Sequence, residues 1–425
     1  MFRLILYFCI VNMKTFNFDR DFIHTALAKV LILLLNFATV IFTTQLWGSE
    51  GKGFIAIFAA DISLVATFTN ILTNSSVSFF LKKIGHSPLA TLAFLWVFIV
   101  SSVAAVVVSF VDVSVPVLPF FVVAVFSGCI TFHSSLFLGV QKIFQYNLAS
   151  LLMSALLLVF MLLFHWLFPE TGYHAYFYAQ ILSYGLVLLL CHIFTHRIFG
   201  RIHFSFSFST FCKAFNFGWQ EELSAFMQFL NARLCFYLIG IYADMSAVGI
   251  FSVGVTISEA IWVFSRSMAL VQYSKVLKLG DTSEAWLETR KVTLVSLAIT
   301  VICIAVAACV PMFVFEYVFG EGFGQSKLVI LMLAVGIATN SVAQVLFNYF
   351  SALGRLKILL LRSSAGLVVT LSLAFWLIPA MDISGACIVN SCSYLVSAMV
   401  LVGFFAKQKG KLKGEALSEV KVDNQ

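Results

Sequence analysis

The run ALAKVLILLLNFATVIFTTQLW at residues 26–47 leads into GSEGKG at 48–53, and then into FIAIFAADISLVATFTNILTNSSVSFFL at 54–81. Each flanking run is as long as the ~20 residues that a helix needs to cross ~30 Å of hydrocarbon. The segment between them holds three glycines and a pair of opposite charges, which is a turn in water and not a helix continuing in oil. Two crossings joined by a short polar turn are therefore the building unit of this chain.

Working outward, the same alternation of apolar run and polar break gives further spans at 88–110, 117–139, 147–168, 174–195, 217–241, 247–273, 292–314, 327–350, 358–379 and 384–405, twelve in all. Composition demands the same. Of 425 residues, 61% are hydrophobic, 16% aromatic and only 11% charged, where a soluble domain carries roughly a quarter charged residues. The expected fold class is an all-α polytopic membrane protein with about twelve transmembrane helices in two parallel six-helix bundles. The nine Cys include no CxxC pair and sit mostly inside apolar runs, so they read as small buried hydrophobes; no metal site or cofactor is expected.

The basic residues orient the map. With the amino terminus in the cytoplasm, the inward segments hold 21 of the 26 Lys and Arg, among them Lys82, Lys83, Lys142, Lys275, Lys278 and the cluster Lys407 to Lys413. The outward turns hold only Lys52 and Lys327, beside Glu50, Asp112, Glu170, Asp244, Glu316, Glu321 and Asp382. This is the positive-inside bias, and it accounts for the net charge of +7 without a nucleic-acid partner. The expected organisation is a cytoplasmic segment at 1–25, an N-terminal bundle at 26–195, a cytoplasmic linker at 196–216, a C-terminal bundle at 217–405 and a disordered cytoplasmic tail at 406–425. No loop is long enough for a catalytic domain, and no nucleophile–base set, Walker loop or dinucleotide fingerprint is present, so an enzyme is not expected.

The halves echo each other. Leu138-Gly139-Val140-Gln141-Lys142 answers Leu353-Gly354-Arg355-Leu356-Lys357, and Gly51-Lys52-Gly53-Phe54 answers Ala247-Val248-Gly249-Ile250 at an offset of 196 residues. Six helices repeated with the same sidedness give a parallel repeat, an architecture whose substrate sites lie between the halves near the midplane.

With Leu46-Trp47-Gly48-Ser49-Glu50-Gly51-Lys52-Gly53 in the first turn, Leu-Gly-x-x-Lys closing the fourth and tenth spans, and Phe319-Gly320-Glu321-Gly322-Phe323 before the tenth, the chain resembles the polysaccharide-transport branch of the multidrug/oligosaccharidyl-lipid/polysaccharide exporter superfamily. Wzx-type O-antigen flippases are its familiar members. The resemblance implies a bacterial inner-membrane flippase, both termini cytoplasmic. It would move an undecaprenyl-diphosphate-linked oligosaccharide repeat unit from the cytoplasmic to the periplasmic leaflet by alternating access, for O-antigen, lipopolysaccharide or capsule assembly. It also implies that the first, second, seventh and eighth helices line a central cavity, with membrane lipids, a polysaccharide polymerase and chain-length proteins as partners.

Ionisable residues inside spans are functional candidates by default. Lys29, Asp61, Glu221, Glu222, Arg233, Glu259 and Arg266 all fall on those four spans. Lys29, Arg233 and Arg266 are expected to receive the diphosphate. Asn36 shares a stripe with Lys29, Asn70 and Asn74 share one on the second span, and Gln228 and Asn231 share one on the seventh; these amides are expected to meet sugar hydroxyls. Glu259, Asp61 and Glu222 are the candidates for coupling to H+ or Na+. Arg362 is expected to snorkel from an inner helix end, and His133 to be a hydrogen-bonded packing residue. A cation-coupled multidrug exporter of the same superfamily is the competing reading. A major-facilitator transporter fits less well, since Lys82-Lys83-Ile84-Gly85-His86 lacks that family's Gly-x-x-x-Asp-Arg pattern.

Overall fold

A computed structural model describes residues 20–111, 115–280 and 282–422; the expected segment at 1–25 lies largely outside them. Among the described residues the chain is helical, without a strand, and forms thirteen α-helices. In chain order they are α1 Arg20–Thr73, α2 Ser75–Ile84, α3 His86–Val111, α4 Val117–Gly139, α5 Ile143–Leu167, α6 His174–Phe199, α7 Phe208–Tyr242, α8 Met245–Leu279, α9 Ser283–Cys309, α10 Met312–Phe319, α11 Ser326–Met332, α12 Ala334–Ala352 and α13 Leu356–Val422.

Among the described residues, nine helical stretches are long and apolar enough to cross a membrane. Two of them contain a break. Gly48 interrupts α1 with φ 64° and ψ −167°, in the polar turn that opened the sequence argument. Asp382 interrupts α13 with φ 48° and ψ −124°, a left-handed conformation that costs a non-glycine residue about 1–3 kcal/mol. The stretches Phe323–Met332 and Ala334–Ala352 form a further pair bent by 57°. With each broken helix counted as two crossings and the bent pair as one, the described residues hold twelve. The protein is a multi-pass membrane protein, all-α as expected.

Several boundaries differ from expectation. At 35 residues, α7 is about 52 Å long at 1.5 Å per residue, and its first turns lie inside the stretch expected as a linker. The apolar window begins only at Glu222. The last helix runs on to Val422, so 406–422 is helix where a disordered tail was expected. Lys, Glu, Ala and Leu supply that segment, and they are strong helix formers. The tenth span is bent because Leu333, with φ −79° and ψ −5°, sits between α11 and α12.

The chain divides into two compact units: Phe68–Trp219 with the chain up to Thr39, and Val40–Thr67 with Gln220 onward. In the first unit, Val77, Leu81, Leu89, Ala93, Phe132 and Leu136 form a buried cluster. His133 is 1% exposed and bonded to Thr195 Oγ1 at 2.7 Å, the packing role expected of it. In the second unit, Trp286 stacks on Phe405 with centroids 5.0 Å apart, beside Tyr349, Phe350, Leu359 and Leu401.

One contact in the second unit has two-fold character. A Cβ at Gly53 would overlap the Met245 carbonyl oxygen, and a Cβ at Gly249 would overlap the Ser49 carbonyl oxygen. Residues 53 and 249 are separated by 196 positions, as are 49 and 245. The echo seen in the sequence is thus a reciprocal packing contact, closed further by Ser49 Oγ against Ser246 Oγ at 2.5 Å. Both glycines are required by backbone approach and not by a positive φ.

Candidate functional site

Three expected site residues meet within the second unit. Arg233 lies on α7 and Glu259 on α8, and Arg233 Nη2 donates to Glu259 Oε1 at 3.2 Å. Glu259 and Arg266 lie seven residues apart on one stripe of α8, about 10 Å along the axis, and Glu259 takes its partner from the neighbouring helix. Asp61, 9% exposed on the second limb of α1, accepts from Tyr237 Oη at 2.8 Å. Tyr237 is one turn beyond Arg233 on α7, so one helix face serves both carboxylates.

Exposure tells what surrounds them. The Arg233 and Glu259 side chains are 31% and 36% exposed, although they belong to the apolar windows Glu222–Tyr242 and Met245–Leu279. A charged pair that is one-third open inside a membrane-spanning segment requires water and not lipid on its open side. The Arg233 guanidinium also lies 5.0 Å over the Phe236 ring, where the ring's negative face favours a cation.

The remaining candidates divide. Arg266 is exposed, and no ion pair to it forms among the described residues. Glu222 is buried at 7%, while the Glu221 side chain is outside the described residues. Gln228 is exposed and, among the described residues, bonds only its helix neighbour Ser224, at 3.4 Å. Asn231 is 7% exposed and fully engaged: its amide donates to the Ser363 carbonyl, and its Oδ1 accepts from Thr370 and Ser393. Those bonds knit α7 to both limbs of α13, which makes Asn231 a packing residue rather than one free to meet sugar. In the first unit, Lys29 and Asn36 are exposed. Asn70 Oδ1 is buried without a hydrogen-bond partner among the described residues, and Asn74 sits at the break between α1 and α2.

Two cations escaped the sequence reading. Arg362 does not snorkel: it is 9% exposed and packed 5.3 Å over Phe347, and its buried Nε has no hydrogen-bond partner among the described residues. The signal was present in Arg362, Gly366 and Thr370, spaced four apart on one face, since small and polar residues in register mark an inward stripe. Lys52, assigned to an exposed turn, is 8% exposed. Its flanking Gly51 and Gly53 were the clue, because they allow the close approach that covers it.

No family model matches the chain, and no curated protein matches it. Solved structures do. The chain is similar to an inward-facing multidrug-resistance MATE transporter of the MOP superfamily, with TM-score 0.69 and 14% identity over 93% of this chain and 99% of that one. The fold is that of the MOP transporters. It is likewise similar to the lipid II flippase MurJ in an inward closed conformation, with TM-score 0.77 and 10% identity over 94% of this chain and 92% of that one. A third likeness is to a MOP transporter from Pyrococcus furiosus, with TM-score 0.58 and 18% identity over 92% and 95%. At such identities the likeness is one of fold.

Proposed function

We propose that this chain is a flippase for an undecaprenyl-diphosphate-linked oligosaccharide repeat unit. It carries the unit from the cytoplasmic to the periplasmic leaflet of a bacterial inner membrane by alternating access, for surface polysaccharide assembly. The observation that carries the reading is the Arg233–Glu259 pair, one-third open inside membrane-spanning helices, on a fold shared with a lipid II flippase. Within the second unit, Arg233 and Arg266 supply positive charge for a diphosphate, and Gln228 offers an amide to sugar hydroxyls. Export of a dianion from an inside-negative cytoplasm is favourable by about 4–5 kcal/mol at 100 mV, so the reaction needs no ATP. H+ or Na+ exchange at Glu259 or Asp61 would add to that drive. Both termini are assigned to the cytoplasm. A polymerase and chain-length proteins would act next on the exported unit.

The test is expression in a bacterium whose own repeat-unit flippase has been deleted. Surface polysaccharide should return and the accumulated lipid-linked intermediate should fall. Unchanged accumulation with normal protein abundance would defeat the reading. The carboxylates Asp61 and Glu259, together with the MATE likeness, favour a cation-coupled drug exporter as the second reading. That reading is supported instead if the same strain gains resistance to cationic dyes without recovering polysaccharide.

A further inference from the structure

The connector between α6 and α7, within the first unit, leaves its apolar residues uncovered. Residues 200–207 form neither helix nor strand. His203 N donates to Ser87 Oγ at 3.3 Å and Ser205 N to Thr91 Oγ1 at 3.1 Å, so this strap climbs about 6 Å along α3. Ser207 Oγ then accepts from Thr210 N at 3.4 Å and caps the start of α7. Phe204, Phe206 and Phe208 are 81%, 55% and 69% exposed.

From Phe208 a ladder of stacked rings continues along α7 through Phe211 and Phe215 to Trp219, with centroids 6.1, 5.6 and 6.3 Å apart. The other side of that stretch is fixed to the unit. Ala214 is buried against Ile71 and Leu72, and a Cβ at Gly218 would overlap the Ile71 carbonyl oxygen. Cations stand among the rings. Lys83 Nζ lies 4.7 Å over the Phe79 ring, and Phe79 stacks on Phe217 at 4.6 Å. Lys213 is one turn before Phe217 on the same face of α7. Both lysines are exposed. Between residues 68 and 219 the acids are Asp112 and Glu170, both in outward turns, so none balances these cations at the inward end.

Exposed rings need hydrocarbon, ammonium groups need water or anions, and an extended backbone needs hydrogen-bond partners that hydrocarbon lacks. The headgroup zone of a bilayer supplies all three. Cations without neighbouring acids favour an anionic headgroup over a zwitterionic one.

We propose that the strap at 200–207 and the stretch 208–219 of α7 form, with Lys83, a docking surface for anionic phospholipid of the inner leaflet. Phe204, Phe206 and Phe208 enter the acyl boundary, while Lys83 and Lys213 hold the phosphates. The surface lies within the first unit and does not depend on what the chain transports.

The experiment titrates the full chain, purified in detergent, with phosphatidylglycerol and in a parallel arm with phosphatidylcholine, both carrying brominated acyl chains that quench nearby indoles. The share of Trp219 is the quenching lost in Trp219→Phe. Phosphatidylglycerol should quench Trp219 at concentrations at least about tenfold lower than phosphatidylcholine. Lys83→Gln combined with Lys213→Gln should weaken phosphatidylglycerol about twenty- to thirtyfold, from about fivefold per cation, and should leave phosphatidylcholine unchanged. The corresponding double replacement by Arg should keep the preference, and Lys357→Gln, at an exposed position in the second unit, should not alter it. Phe204→Ser with Phe206→Ser should weaken both lipids alike. Equal quenching by the two lipids, no quenching of Trp219 by either, or an undiminished preference in the double Gln variant overturns the surface. Loss of the preference on adding millimolar inorganic phosphate at constant ionic strength overturns it too, because the cations would then hold a free anion and not a lipid.

Discussion

Arg233 touches Glu259 through one nitrogen and one oxygen, both side chains a third open to solvent, so the pair contributes about 1 kcal/mol or less to stability. Substitutions there should therefore be read in transport and not in folding. Glu259→Gln keeps an acceptor for Arg233 and should leave abundance near wild type. In liposomes with the potential clamped, its transport should lose dependence on an imposed pH gradient, and an unaltered response removes Glu259 as the coupling group. Arg233→Lys should retain more transport than Arg233→Ala, because charge survives where geometry is only partly copied; equal, normal export by both rejects a role for its charge. Asp61 behaves differently, being buried against Tyr237. Asp61→Asn preserves an acceptor and should unfold near wild type, whereas Asp61→Ala orphans the hydroxyl and should cost about 1–3 kcal/mol in thermal unfolding. Asp61, Arg233 and Glu259 stood out in the sequence because charge inside an apolar run has no inexpensive explanation. Their pairing did not, since it depends on which helices are neighbours. Asn231 misled for the same reason: its polar stripe was real, and only the contact with α13 shows that the stripe is spent on packing.

At the scale of elements, the spans were legible because hydrocarbon thickness imposes a length, and polar breaks such as Gly48 announce where each ends. Leu333 carries no such mark, and the bend between α11 and α12 went unread. The reach of α7 and α13 into polar sequence was also missed, because a helix requires no apolar neighbours once Ala, Leu, Lys and Glu supply its propensity. The glycine seam offers the sharpest element-level test. Gly53→Ala and Gly249→Ala each drive a methyl into a backbone carbonyl, which cannot rotate aside, and each should cost about 3 kcal/mol. Gly403→Ala meets nothing within 4 Å and should gain about 0.5–1 kcal/mol, the ordinary benefit of replacing a helical glycine. Equal unfolding temperatures for all three variants would show that the seam does not constrain the helices.

For the whole molecule, the sidedness of Lys and Arg yields a topology that labelling can check. A reporter fused after Gln425 should be active in the cytoplasm. Cysteines at Glu50 and Glu170, both exposed, should react with an impermeant reagent applied from outside, and reaction only from the cytoplasmic side would invert the map. Ser49 is unsuitable for this purpose because its hydroxyl is engaged by Ser246.

The seam at Gly53 and Gly249 has the form of an isologous interface, in which each member presents to its mate the surface it receives. Such a contact belongs naturally to a homodimer of six-helix chains, where one gene specifies both sides and any change strikes twice. Joining the two copies in a single chain frees each side to drift alone. Lys52, 8% exposed, has as its counterpart 196 residues on the apolar Val248, 0% exposed, a mark of that freedom: a charge that a symmetric pair would have had to bury in duplicate. If so, residues 1–204 and 205–425 expressed as separate chains should still co-purify as a heterodimer, and fragments that never associate would count against this descent.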